Sequence, residues 1–175
     1  MQLSSDLNLY HPLWAQADDE MCSNGGLGIF NRLVDLYVLA CAIGVKEDKV
    51  ILDKDIDSPL TQPKVIGRNT HRENLDVRDI LDFMLQNALL NSSTIDLDVD
   101  ERLKLAFNPD YTNKKINAAV FLTGFATFGL TKIYENVKSR SSLVAIGEFY
   151  SYLESLSNEQ FDDILRTITL ESLEE

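Results

Sequence analysis

The sequence feature that most constrains the fold is the apolar stretch from Ile29 to Gly44. Read at 3.6 residues per turn, its hydrophobic side chains cover most of the circumference, and only Asn31, Arg32 and Asp35 are water-facing positions. A helix that is apolar on nearly every side is buried on more than one side. We therefore predict a helix at the centre of the domain. We expect Gly44 to end it, because glycine adopts the left-handed cap conformation at little cost.

Amphipathic patterns in the rest of the chain indicate that helices make up most of the fold. Apolar residues recur at three- and four-residue spacing in several segments, as expected of helices with one buried face. These segments predict helices over residues 77–90, 99–107, 112–139 and 143–156, and a capping box at 157–160 opens a last helix. The short β-branched runs 49–53 and 64–67 predict one small hairpin.

The predicted fold class is therefore mainly α: a single compact domain of five or six helices with at most one small β-hairpin. The length of 175 residues suits one domain with a substantial core. We expect residues 1–28 to form an N-terminal lead-in, residues 29–170 to form the helical domain, and residues 171–175 to form a frayed tail.

Two glycines lie inside the long helix predicted over residues 112–139. In a helix interior, Gly124 and Gly129 each cost about 1 kcal/mol relative to alanine. They either allow the central helix to approach closely or mark a break near Gly129.

The net charge of -12 argues against broad binding to nucleic acid, because phosphate neutralisation needs lysine and arginine. The acidity either keeps the protein soluble, or serves a partner with a basic surface, or mimics DNA. With two cysteines there is no disulfide framework, and no apolar run approaches the roughly 18–20 residues that cross a bilayer. The N-terminus lacks a signal-peptide pattern. We expect a cytoplasmic protein with no membrane partner.

One segment of this acidic protein is rich in positive charge. Between residues 64 and 78, five basic side chains stand against only two acidic ones. We call these five the basic island: Lys64, Arg68, His71, Arg72 and Arg78. The island is either an ordinary exposed loop or a contact point for an acidic partner or a nucleic-acid backbone.

Recognisable catalytic and ligand-binding motifs are absent from the sequence. His11 and His71 lie sixty residues apart without neighbouring ligands at metal-binding spacing. The glycine-rich run 23–28 lacks the lysine and hydroxyl of a phosphate-binding loop, and the aspartate-rich runs 53–64 and 96–107 fail the calcium-loop pattern. We therefore predict no catalytic residue, no cofactor and no metal, and we expect a protein that is not an enzyme. A hydrolase whose site is assembled only by folding is the remaining enzymatic alternative.

Two segments resemble a known family. Residues 30–44 resemble the aromatic-x-x-x-x-Asp-Leu, alanine-rich, Leu-Gly segment near the start of the small DNA phosphorothioation-associated (Dnd system-associated) proteins. Residues 122–135 resemble their Glu-Tyr-Ala-Asn-Gly-Gly-Leu segment, with Gly124 in place of the acidic residue and Phe128 in place of the first glycine. The structural positions of the two motifs are Phe30, Asp35, Gly44, Gly124, Gly129 and Leu130.

The resemblance implies a bacterial accessory protein encoded with a DNA-modification or anti-phage system, without catalytic residues to transfer. We expect a non-enzymatic accessory subunit that acts through contacts with other protein subunits, with little or no direct binding of nucleic acid. Two alternatives stay open. One is an acidic DNA-mimicking inhibitor of a nucleic-acid-binding enzyme. The other is a small subunit of an SMC-like ATPase–nuclease defence complex.

Overall fold

A computed structural model of the chain describes residues 3, 5–22, 28–73, 75–108, 111, 116–137 and 144–157. The elements in chain order are β1 (Leu7–Leu9), α1 (Pro12–Met21), α2 (Leu33–Glu47), a 3-10 turn (Asp53–Asp55), β2 (Lys64–Ile66), α3 (Arg68–Arg72), α4 (Leu75–Asn91), α5 (Val99–Phe107) and α6 (Ala118–Asn136). Residues 144–157 are also helical. The predicted class, mainly α with at most one small pair of strands, is confirmed. None of the described helices is both long and apolar enough to cross a bilayer.

The chain divides into two compact units, Met1–Lys132 and Ile133–Glu175. The first unit holds both strands, helices α1 to α5 and most of α6. The second holds the end of α6 and the helical residues 144–157. The frayed tail, and all but the first residue of the capping box at 157–160, lie outside the described residues. The domain boundaries that we placed at residues 28 and 170 stay predictions.

The two strands are not the local hairpin that we expected from residues 49–53 and 64–67. Strand β2 pairs antiparallel with β1, at the start of the chain, and Leu7 lies opposite Ile66. The pairing is favourable because Leu7, Leu9 and Ile66 are all buried, so one face of the small sheet packs on the core. Residues 50–52 run beside α6 instead, where the Ile51 N–H donates to the carbonyl of Gly124 at 3.0 Å.

Helix α2 is as apolar and as buried as the sequence predicts, but its predicted end at Gly44 is wrong. The helix continues to Glu47 and is capped by Asp48, which adopts the left-handed conformation at φ 50°. Aspartate tolerates this conformation better than most residues do. The Asp48 carboxylate is also held in place, because it accepts hydrogen bonds from the Ser93 N–H at 2.8 Å and the Ser93 hydroxyl at 2.6 Å.

Gly44 lies inside α2 because α6 touches it there. A Cβ on Gly44 would lie 2.6 Å from the carbonyl carbon of Phe125, and a Cβ on Gly129 would lie 2.7 Å from that of Ala40. Both distances are far below the roughly 3.5–4.0 Å of an ordinary carbon–carbon contact. The close approach suggested for Gly129 is therefore confirmed. Gly124 faces Leu52 and the segment around it instead.

Buried hydrogen bonds also tie α1 and α2 to α6. The indole N–H of Trp14 donates to the hydroxyl of Thr127 at 3.2 Å, and the hydroxyls of Tyr37 and Thr123 are 3.2 Å apart. The rings of Trp14 and Tyr37 pack at a centroid distance of 5.7 Å. Each such bond contributes about 1 kcal/mol, and losing one partner would leave a buried polar group unpaired. The network therefore fixes how the three helices pack.

The remaining motif residues have ordinary structural roles. Phe30 forms an isolated β-bridge with Cys22, and its N–H donates to the carbonyl of Met21 at 3.1 Å. Asp35, in the first turn of α2, pairs with Arg32 at 2.6 Å. Leu130 is fully buried on α6.

Candidate protein-binding surface

Most of the charge in the basic island is paired within the protein. Three of its cations form ion pairs with carboxylates on other elements or on a neighbouring residue. Partly exposed pairs of this kind stabilise a fold only slightly, but they leave little free positive charge for a partner. The pairs are Lys64 with Asp18, Arg72 with Asp82 and Arg78 with Asp79, each at 2.8 Å.

The other two members of the island bind the N-terminal segment. His71 is fully buried; its Nε2 lies 3.1 Å from the carbonyl oxygen of Ser5, and its Nδ1 has no hydrogen-bond partner among the described residues. Burial lowers the pKa of His71. The backbone N–H of Arg68 donates to Asp6 at 2.6 Å. Arg68 is thus the arginine of the island whose side chain has no ion-pair partner in the described part of the chain.

The described residues do not assemble a recognisable reactive centre. Cys22 and Cys41 are both buried and unbonded. Burial, followed by the nearby carboxylate of Asp18, raises the pKa of Cys22 to about 11, and burial raises the pKa of Cys41 further. Both thiols therefore stay protonated and weakly nucleophilic. Within the same ranges, no group of three histidine, cysteine or carboxylate residues is placed to hold a metal ion.

An open cleft lies beside the loop that joins α4 to α5. Its volume is about 350 Å³. The polar groups at the cleft are Thr94, Asp96 and Asn117, and Asn117 also caps α6 by accepting from the N–H of Ala119 at 3.0 Å. Apolar pockets with a few polar groups are the usual form of a binding site. The apolar walls are Leu52, Ile95, Leu97, Ile116, Val120 and Phe121.

The loop wall of this cleft is held rigidly by one side chain. The Arg102 guanidinium donates to four backbone carbonyls of the segment from residue 90 to residue 97. These hydrogen bonds go to neutral carbonyls, so the side chain organises the loop and keeps its positive charge. Asp48 holds the same loop from the end of α2, through Ser93. The four acceptors are Leu90 at 3.2 Å, Ser92 at 2.8 Å, Leu97 at 3.0 Å and Ile95.

Helix α5 carries a row of exposed apolar side chains immediately after this loop. Val99, Leu103 and Phe107 follow one another at four-residue spacing and are 71%, 45% and 61% exposed. The helix buries Leu105 and Ala106 instead. We call the exposed row the α5 stripe. It begins two residues after Leu97, so the stripe and the cleft adjoin, and together we call them the docking surface.

The charges beside the docking surface are mainly negative. Asp96, Asp98 and Asp100 are all exposed, and Asp98 also caps α5 by accepting from the N–H of Glu101 at 2.8 Å. The cations of this segment are Arg102 and Lys104, against four carboxylates when Glu101 is included. The docking surface is thus an apolar row in a segment of net negative charge.

The sequence predicts α5 correctly, from residue 99 to residue 107, but it does not reveal the docking surface. The four-residue spacing of Val99, Leu103 and Phe107 is visible in the sequence, and such a row normally marks the buried face of a helix. Only the packing of Leu105 and Ala106 shows that this row faces water.

Comparison of the chain with protein-family models, with curated proteins and with solved structures finds no match.

Proposed function

We propose that the protein is a non-enzymatic accessory subunit that binds another protein in a prokaryotic DNA-modification or anti-phage defence complex in the cytoplasm. The observation that carries the binding role is the α5 stripe. Contiguous apolar surface rimmed by polar residues marks interaction sites, and the stripe sets three large exposed apolar side chains in one row on a helix. The defence setting rests on the family resemblance of residues 30–44 and 122–135.

Two further features support the binding role. The loop beside the stripe is fixed in place by Arg102 and Asp48, so the surface is formed before a partner arrives. Preformed surfaces bind more tightly, because less conformational entropy is lost on association. Large apolar side chains such as Phe107 are also enriched at the centres of interfaces.

The proposal is tested by purifying the tagged protein, expressed at its natural level in its source organism, together with its variant Phe107→Glu. We expect a partner subunit encoded beside the gene to co-elute in fixed ratio with the wild type and to be lost from the variant, because a carboxylate at the centre of an apolar interface is costly to bury. Leu75→Glu is the control, since Leu75 is 59% exposed but begins α4, away from α5.

Equal partner content in wild type and Phe107→Glu would refute the docking role. The purified protein should also neither cleave DNA nor hydrolyse nucleotides, with or without divalent metal. Turnover that follows the protein through every purification step would refute the non-enzymatic role.

A further inference from the structure

We propose that the docking surface takes a basic amphipathic helix of the partner protein: an apolar row at helical spacing, flanked by lysine or arginine. This inference rests on the proposed function and specifies its partner. Neither part of the argument suffices alone; the apolar row sets the shape of the occupant, and the net negative charge of the segment sets the charge of the occupant.

The shape argument begins with the spacing of the α5 stripe. Four residues of α-helix rise about 6 Å, so Val99, Leu103 and Phe107 form a ridge roughly 12 Å long. Ridges of this four-residue kind pack into the grooves between the equivalent ridges of another helix. The adjoining cleft of about 350 Å³ lies near the lower end of the roughly 300–1,000 Å³ of small-molecule sites. It suits a bulky side chain at the end of the partner helix.

The charge of the occupant follows from the net charge of the segment that carries the stripe. Residues 96–104 hold four carboxylates, Asp96, Asp98, Asp100 and Glu101, against the two cations Arg102 and Lys104, so the segment is net negative. Complementary charge mainly sets the rate and register of docking. A helix with lysine or arginine beside its apolar row complements this net negative charge.

The same charges disfavour a second copy of this chain as the occupant. In a symmetric dimer the same patch faces itself, so two surfaces of the same net negative charge would meet. Like charges brought together across an interface oppose association. Each copy also carries a net charge of -12. A heterologous basic helix avoids both costs.

The test uses three labelled synthetic peptides of equal length and fluorescence anisotropy with the full-length protein. The first places leucines in one helical row with lysine flanks. The second keeps the leucine row but has glutamate flanks. The third has the composition of the first in an order that destroys the row. We expect only the first to bind, and its affinity to fall as salt is raised.

Variants of the protein then separate the two contributions. Val99→Ser combined with Leu103→Ser should weaken binding of the first peptide by at least about tenfold, because two apolar contacts are lost. Asp98→Asn combined with Asp100→Asn should weaken binding and flatten its salt dependence, while asparagine preserves the helix cap.

The matched controls lie in the first turn of α4. Leu75→Ser removes an apolar side chain that is 59% exposed, and Asp76→Asn removes an exposed carboxylate. Leu75 is separated from the α5 end of α4 by sixteen residues, or about 24 Å of helix. Both controls should bind like wild type, and all variants should show wild-type circular dichroism.

Equal binding of the lysine-flanked and glutamate-flanked peptides, lost in the serine variant, would overturn the basic-partner inference and leave the subunit role intact. Binding of the scrambled basic peptide as tightly as the first, or wild-type binding by the serine variant, would also overturn the inference. The subunit role is tested separately, by whether the Phe107→Glu variant still copurifies with a partner subunit.

Discussion

Replacing Gly44 with alanine tests the contact between α2 and α6 directly. In an ordinary helix interior this change stabilises a protein by about 1 kcal/mol. Here the new Cβ would lie 2.6 Å from the carbonyl carbon of Phe125 and 2.9 Å from its Cα. These are backbone atoms, so no side-chain rotation can relieve the overlap. The two helices must move apart by about 1 Å to restore an ordinary contact distance.

The loss of stability in Gly44→Ala depends on which contacts break when α2 and α6 move apart. Overpacking a well-packed interior costs about 1–3 kcal/mol. Separation of α6 would also stretch the hydrogen bond from Trp14 to Thr127 and the one between Tyr37 and Thr123, worth about 1 kcal/mol each. After the gain in helix propensity, we expect Gly44→Ala to lower the free energy of unfolding by about 2–4 kcal/mol. The melting temperature should fall by about 5–15 °C.

The chain supplies matched controls for the same substitution. Gly147 lies in the helical residues 144–157, and nothing would touch its Cβ within 4 Å, so Gly147→Ala should be neutral or stabilising by up to about 1 kcal/mol. Gly124→Ala should fall between the two, because its nearest neighbour is the flexible end of Leu52 at 3.2 Å. Urea denaturation, followed by far-UV circular dichroism, ranks the three variants by their free energy of unfolding. Equal stability of Gly44→Ala and Gly147→Ala would show that α2 and α6 do not touch.

Two further predictions concern polar contacts. Burial lowers the pKa of His71, so below about pH 6.5 the unfolded chain binds the proton first and the free energy of unfolding falls. His71→Gln should flatten this dependence of the unfolding free energy on pH, measured by urea titrations between about pH 7 and pH 5. An unchanged slope would show that His71 is not its source. Arg102→Lys cannot reach four carbonyls, so it should cost about 2–3 kcal/mol and speed hydrogen exchange in residues 91–98. Wild-type exchange there would mean that Arg102 does not hold the loop.

Much of the helical plan was predictable because it depends on local patterns. The apolar stretch that becomes α2 is recognisable from the spacing of its hydrophobic residues. Helix α5 is recognisable from its spacing and from the capping residue Asp98. The end of α2 was not predictable in the same way. Gly44 has the residue type of a cap, but its role is set by Phe125, eighty-one residues later in the chain. A glycine that ends a helix and a glycine that admits a neighbouring helix look the same in a sequence.

The candidate sites likewise depend partly on local sequence and partly on residues that are distant in the chain. The basic island stands out in the sequence because charges can be counted, yet carboxylates such as Asp18 and Asp82 are brought to it only by folding. The α5 stripe has the spacing of an ordinary buried face. Which face of a helix meets water is decided by its neighbours, so the sidedness of α5 needed the three-dimensional structure.

The bond from Trp14 to Thr127 has a consequence for synthesis of the protein, because its two residues are 113 positions apart. At roughly 5–20 residues per second, the ribosome needs about 6–23 seconds to add the second residue after the first. A helix forms in about a microsecond, so α1 waits for its partner through almost the whole of this interval. The nascent N-terminal part must keep the apolar faces of α1 and α2 from other chains until α6 emerges. A chain truncated before Thr127 would leave uncovered the faces of α1 and α2 that pack on α6, and it would be a natural substrate for chaperones and proteases.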